Sequence, residues 1–293
     1  MDVAGSRRNT SRAKAGQSVL KLLLYALLLL VAAFTLFPVL YAFLASFKEN
    51  QEIMAGSASL LPRAFTLDNY QEAWEVANFK TYTWNSIYMT FVIVTGTILT
   101  SSMGAYFFAR SSFPGKRLLF AVFVSTMFIS MGSITMFPLL AIAKALHINT
   151  TLWGVIIIKI FGINILNMYL IRNFIVSIPM EIDEAAKLDG CSFGQIFFRI
   201  IFPLLKPVIA TVGLIVFRDA WNDYLLPMVF TIANRSQAPL VVGVVALKGA
   251  GQAASSWNLM LAGTMISIIP MLVVYTFLNR YFVAGVTTGA VKG

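Results

Sequence analysis

Long uncharged apolar stretches recur along this chain, separated by shorter segments in which the charges and turn residues collect. A bilayer core about 30 Å thick takes about 20 helical residues at 1.5 Å rise each. Six stretches have that length, two of them with charges inside: 22–47, 83–109, 118–143, 152–171, 207–230 and 258–278. The pattern predicts an all-α integral membrane fold of six transmembrane helices in one domain over 18–293. A Ser/Arg-rich tail over 1–17 is predicted to be disordered. The first apolar stretch follows Arg7, Arg8, Arg12, Lys14 and Lys21, as a secretory signal would. It is too long for such a signal and no small-x-small cleavage site closes it, so it reads as a retained helix.

Charge then orients the spans. One face, made of the tail, the two even-span loops and the C-terminal end, holds 14 Lys and Arg, and the other face holds 6. The excess on the first face predicts that both termini are cytoplasmic. On the opposite side the loop 48–83 carries Glu49, Glu52, Asp68, Glu72 and Glu75, with a short helix predicted over 68–76. The cytoplasmic loop 173–206 is too long to be structureless without a purpose. Pro179 followed by Glu181, Asp183 and Glu184 puts acids in a first helical turn, and Gly190 suits a left-handed cap, which predicts a helix over 180–189. Ser192 with Gln195 reads as a capping box that opens a second helix over 193–202, stopped before Pro203.

Composition confirms the class and removes others. The chain is 58% hydrophobic and 12% charged, with a mean hydropathy of +0.79, which excludes a conventional soluble globule. One Cys and one His cannot supply a zinc site, a disulfide framework or a dithiol redox pair from within the chain. The net charge of +10 comes from scattered residues rather than a basic stripe with interleaved aromatics, so no nucleic-acid partner is expected. Gly115-Lys116 lacks the upstream glycine and the following Ser or Thr of a phosphate-binding loop, and no Ser/His/Asp or HExxH set is present. The chain is therefore not read as an enzyme, and no metal or organic cofactor is expected.

Glu184-Ala185-Ala186, then Gly190, Ile200 and Phe202-Pro203, is similar to the EAA signature of permease subunits of bacterial ATP-binding-cassette importers, with Phe202 in place of the usual Leu. Ser46-Phe47-Lys48, Phe65 to Tyr70 (FTLDNY), Trp221-Asn222-Asp223-Tyr224 and the closing 285–293 resemble the carbohydrate-importer branch, in particular the smaller permease of maltose-type systems. The resemblance implies a type I importer permease in a bacterial inner or plasma membrane. It further implies a second, homologous permease subunit, two copies of a cytosolic ATPase that binds the ATP, and an external solute-binding protein that delivers a carbohydrate. In that family the EAA loop is a coupling helix docked on the ATPase, a role that carries to Asp183, Glu184, Ala185, Ala186, Asp189 and Gly190.

Charges also fall inside the predicted spans. Arg218, Asp219, Asn222 and Asp223 occupy one arc of about 140° on span five, with Arg218 about 16 Å and Asp223 about 24 Å along it. Such a face does not point at lipid. With Trp221 it either lines the translocation pathway or forms an internal network in which Arg218 stacks on Trp221 and bonds Asn222. Lys159 on span four lies at nearly the depth of Asp223. The two either pair across the spans, or Lys159 snorkels to water while Asp223 lines the cavity alone. A proton-coupled secondary transporter using Asp219 or Asp223 is the other functional reading, although no internal repeat is seen.

Overall fold

The computed structural model describes the backbone of residues 3–56, 59–76, 78–129, 132–162, 164–249 and 256–290, and within these the side chains from 20 to 277 except 76 and 133. The described chain is all-α, without strands. Helix α1, Val3–Ala45, begins well before the predicted span. Residues 3–17, for which composition predicts disorder, continue that helix; they include three Ala and three Arg and contain no proline. After α2, Asn50–Met54, comes α3, Asp68–Val76, the short helix expected between spans one and two. Span two is α4, Phe79–Arg110, and span six is α15, Trp257–Ala290. The closing run 285–293 ends outside the described residues, which stop at 290.

The middle spans are broken where the sequence predicts continuous helices. Span three is α5, Lys116–Thr126, and α6, Met136–Ala145, with a short tight turn of helix between them. Span four is α7, Leu152–Phe161, and α8, Ile165–Val176, bent by 42°. The loop helices are α9, Glu181–Leu188, and α10, Phe193–Ile196, the latter running through a π-helical stretch, Phe197–Ile201, into α11, Phe202–Leu204. Span five is α12, Lys206–Trp221, and α13, Leu225–Thr231. Helix α14, Leu240–Ala246, precedes α15. Among the described residues three helices are long and apolar enough to cross a membrane, or up to five if each of two bent pairs counts as one span.

Two of the interruptions are bridged by asparagine amides. In span four the Asn164 side-chain amide donates to the carbonyls of Lys159 (2.9 Å) and Gly162 (3.0 Å) at the end of α7. In span five the Asn222 side-chain amide adds a second donor, at 2.9 Å, to the Arg218 carbonyl, which also accepts from the Asn222 backbone N–H at 3.1 Å. The predicted stop before Pro203 is overruled because Pro203 sits in the opening turn of α11, where its missing N–H costs nothing. The chain turns instead at Leu205, and α12 leaves at 80° to the preceding helices.

Helix α4 is the axis of the core and packs on α7, α8, α12 and α14. Two glycines let it approach the partners closely: a methyl on Gly96 would run into the Ile160 side chain, and one on Gly104 would lie 2.9 Å from the Met168 sulfur. Met89, Ile93, Val155, Ile156, Ile171, Ile201 and Phe230 fill the space around it. A smaller cluster with Ala73, Phe79, Trp221, Leu240 and Leu259 joins α3 and α14 to α15. In the most apolar stretch of α1, by contrast, no residue is buried within the chain, although the helix touches α15.

The end of α1 is fastened by polar contacts. The buried Asn69 amide donates to the carbonyls of Ser46 (2.8 Å) and Lys48 (2.9 Å) and accepts from Asn258 (2.7 Å). Ser46 Oγ and Tyr70 Oη share a hydrogen bond of 2.6 Å. Buried Lys48 donates to the Ser59 carbonyl at 2.5 Å and pairs with Glu52 at 3.5 Å. The Ser46-Phe47-Lys48 and Asp68-Asn69-Tyr70 signatures are thus two halves of one knot.

Candidate functional site

Two regions gather the residues singled out by the sequence. The first is α9, whose two faces differ sharply. Asp183, 2% exposed, and Ala186 turn into the protein, whereas Glu184, Ala185, Lys187, Asp189 and Gly190 face out. Leu188 stands at the tip, 90% exposed. The Gly190 N–H donates to the Lys187 carbonyl and the Cys191 N–H to the Ala186 carbonyl, both at 3.0 Å, closing α9 with a Schellman motif. Gly190 has φ +80°, as that motif requires, and nothing crowds the place a side chain would take. The capping box at Ser192 and Gln195 forms with both of its bonds.

Asp183, placed by its motif among the docking residues, is instead the anchor of α9. Tyr106 Oη donates to Asp183 Oδ1 at 3.0 Å, and Arg110 Nε lies 3.0 Å from Oδ2, a charge contact whose angle does not make it a hydrogen bond. Arg110 also donates from Nη2 to the Ile178 carbonyl at 2.9 Å. Phe193 and Phe197 lie against the Tyr106 ring, at 4.5 and 5.3 Å between centroids. Tyr106 and Arg110 were not among the sequence candidates. Their spacing of four residues at the end of an apolar helix is the signal that could have found them, since both then face the same neighbour. Leu188 was missed as well: a leucine placed at the turn of an acidic helix reads as core when it stands outermost.

The second region lies at the two helix breaks. Lys159, near the end of α7, and Asp223, between α12 and α13, pair at 2.5 Å with side chains 33% and 14% exposed. Arg218 and Asp219, both exposed, pair at 2.8 Å. With Asn222, Tyr224 and Leu225 these four charges line an open cavity of about 590 Å³. Irregular backbone at membrane depth is stable where it lines a cavity, which is where both breaks fall. Trp221 leaves this set. It is buried, stacks on Phe217 at 5.6 Å and donates from its indole nitrogen to the Ser267 carbonyl at 3.1 Å. The stacking of Arg218 on Trp221 expected for an internal network is replaced by the contact of Arg218 with Asp219, and Asn222 bonds the Arg218 carbonyl rather than its side chain.

The chain matches the family described as the binding-protein-dependent transport system inner membrane component over residues 96–288. It is 35% identical to the trehalose transport system permease protein SugB of Mycobacterium tuberculosis over 265 residues, covering 90% of this chain and 95% of that one. It is 31% identical to the inner membrane ABC transporter permease protein YcjP of Escherichia coli, covering 92% and 95%. Among solved structures, a chain of a bacterial ABC transporter involved in the import of the acidic polysaccharide alginate superposes with a TM-score of 0.77 at 26% identity, covering 91% of this chain and 98% of that one.

Proposed function

This chain belongs to the family of binding-protein-dependent transport system inner membrane components, and from that premise we propose how it works as the permease of an ATP-driven sugar or oligosaccharide importer. It is a multi-pass inner-membrane protein and a transport component, not an enzyme. The relatives named for trehalose and arabinooligosaccharide transport, and the alginate importer, support a carbohydrate as cargo.

Helix α9 docks in a groove of a cytosolic ATPase with Glu184, Ala185, Leu188 and Asp189, while Asp183 and Ala186 hold it to the permease. The observation that carries this reading is that split: one face is fastened by a buried ion pair, and the other is offered to a partner with an almost fully exposed leucine at its tip. Movement of α9 then reaches α4 through Asp183, Arg110 and Tyr106. A second, homologous permease faces the charged cavity, so that the pathway closes between the two, and two ATPase copies moving together rock the spans between inward-open and outward-open forms. An external binding protein delivers the sugar, both termini are cytoplasmic, and the ATP is bound by the ATPase subunits.

The assembled importer in proteoliposomes should take up a labelled oligosaccharide from its binding protein only when ATP is supplied, with vanadate abolishing uptake and a protonophore leaving it unchanged. Collapse of uptake by the protonophore alone would restore the proton-coupled reading built on Asp219 or Asp223. Glu184→Lys and Leu188→Ala should each weaken recovery of the ATPase with the permease, and normal recovery in both would remove the docking role from α9.

A further inference from the structure

A second site lies on the seam between α5 and α8. Lys116 opens α5, and Phe120 follows one turn later on the same face. The Arg172 guanidinium of α8 covers the Phe120 ring at 4.4 Å, and Tyr169, one turn earlier on α8, stacks on the same ring at 6.4 Å. Lys116 and Arg172 are therefore neighbours, with exposed Arg117 beside them. Among the described residues none of these three cations pairs with a carboxylate, in contrast to the ion pairs made by Lys48, Arg110, Lys159 and Arg218. Lys116 donates to the carbonyls of Ser111 (2.6 Å) and Ala109 (3.5 Å), which closes the end of α4 but supplies no negative charge. Arg172 Nε is sealed from solvent and has no acceptor among the described residues. The fold thus gathers like charges and provides no counter-charge for them.

The surroundings say what supplies it. Helix α5 begins at Gly115 with φ +78° and no side-chain cap, so the positive end of its dipole is open at the same place. Ser112, Phe113, Gly115, Lys116, Arg117 and Leu118 line a cavity of about 460 Å³ there. One turn further along α5 the exposed surface is apolar, with Leu118 and Val122, and Phe107 and Phe113 stack beside it at 5.4 Å. A site that is cationic at its mouth and apolar immediately inward has the amphipathic profile of a phospholipid. We propose that Lys116, Arg117 and Arg172 bind the phosphate of an anionic phospholipid whose acyl chains lie along Leu118 and Val122. The proposal needs only the placement of the chain in a bilayer and is independent of the cargo and of α9 docking. The lipid supplies the missing counter-charge and braces α5, the first half of a broken span, against α8.

The test is native mass spectrometry of the purified full-length protein in its complex, after exchange into equimolar phosphatidylglycerol and phosphatidylcholine. The complex should retain phosphatidylglycerol in preference to phosphatidylcholine, and each cation removed should lower that retention about fivefold. Arg172→Gln should show the loss and Arg172→Lys should largely keep the lipid. Arg117→Gln, a change at an exposed position, gives a second reading should Arg172→Gln fail to fold. Equal retention of the two lipids, or retention unchanged in Arg117→Gln and in any folded Arg172→Gln, would overturn the proposal. Displacement of the lipid by millimolar inorganic phosphate would make this a site for a soluble anion. Loss of ATPase subunits from the Arg117→Gln complex with its lipid intact would make it a protein contact. Either result would also overturn the assignment.

Discussion

At Gly190 a single dihedral angle decides whether α9 is closed. The residue sits at φ +80° with open space around it, so a side chain there meets no clash and suffers only the torsional penalty. Gly190→Val should therefore destabilise the loop by roughly 1–2 kcal/mol or somewhat more, while the protein still inserts; limited proteolysis of the 173–206 loop, faster in the variant, is the measurement. Asp183 carries a different kind of constraint. Removing it leaves Arg110 charged in a side-chain environment 9% exposed, at a cost of about 3–5 kcal/mol. Asp183→Leu should lower the unfolding temperature in detergent markedly, and Arg110→Met with Asp183→Leu should recover much of the loss, because both charges leave together. A double variant as unstable as the sum of the two single ones would show that the pair does not hold α9.

At the scale of elements, the broken helices of spans four and five bring their charges into one cavity. Lys159 and Asp223 are in contact, so of the two sequence readings the pair across the spans is the one that the structure contains. Each residue alone at that depth would be unfavourable by up to about 3 kcal/mol. In uptake assays of Lys159→Met, Asp223→Asn and the double variant, the double should be no worse than the more damaged single one. A coupling of about 0.5–3 kcal/mol is expected, and strictly additive losses would separate the two residues functionally.

For the whole molecule the decisive asymmetry is that α1 and the charged cavity are both uncovered within this chain. An apolar helix with no buried residue along its most apolar stretch belongs against lipid or another membrane subunit, and a cavity lined by four charges belongs against water or a partner. The Lys/Arg excess predicts the orientation: a cysteine at Ser112 should label only from the cytoplasmic side and one at Ser59 only from the outer side. Labelling of Ser112 from outside would invert the topology and take α9 away from any cytosolic ATPase.

The apolar periodicity, the helix α3 to its end residues, the capping box and the left-handed turn at Gly190 were all legible in the sequence, because each depends on residues close together in the chain. The EAA resemblance, carried by spacing within one loop, led to the family for the same reason. The breaks within spans four and five were not legible, since Asn164 and Asn222 read as ordinary polar residues until their amides are seen to bond backbone carbonyls at the interruptions. The direction of each side chain was equally hidden: Asp183 and Glu184 are adjacent acids of one motif, yet one is buried against Arg110 and the other faces out. The sequence by itself determined that the chain is helical and apolar enough for a membrane, through hydrophobic length and local turn chemistry. Only the tertiary structure decided which polar groups face one another, because a buried charge is settled by a partner such as Arg110 or Lys159 that lies far away along the chain.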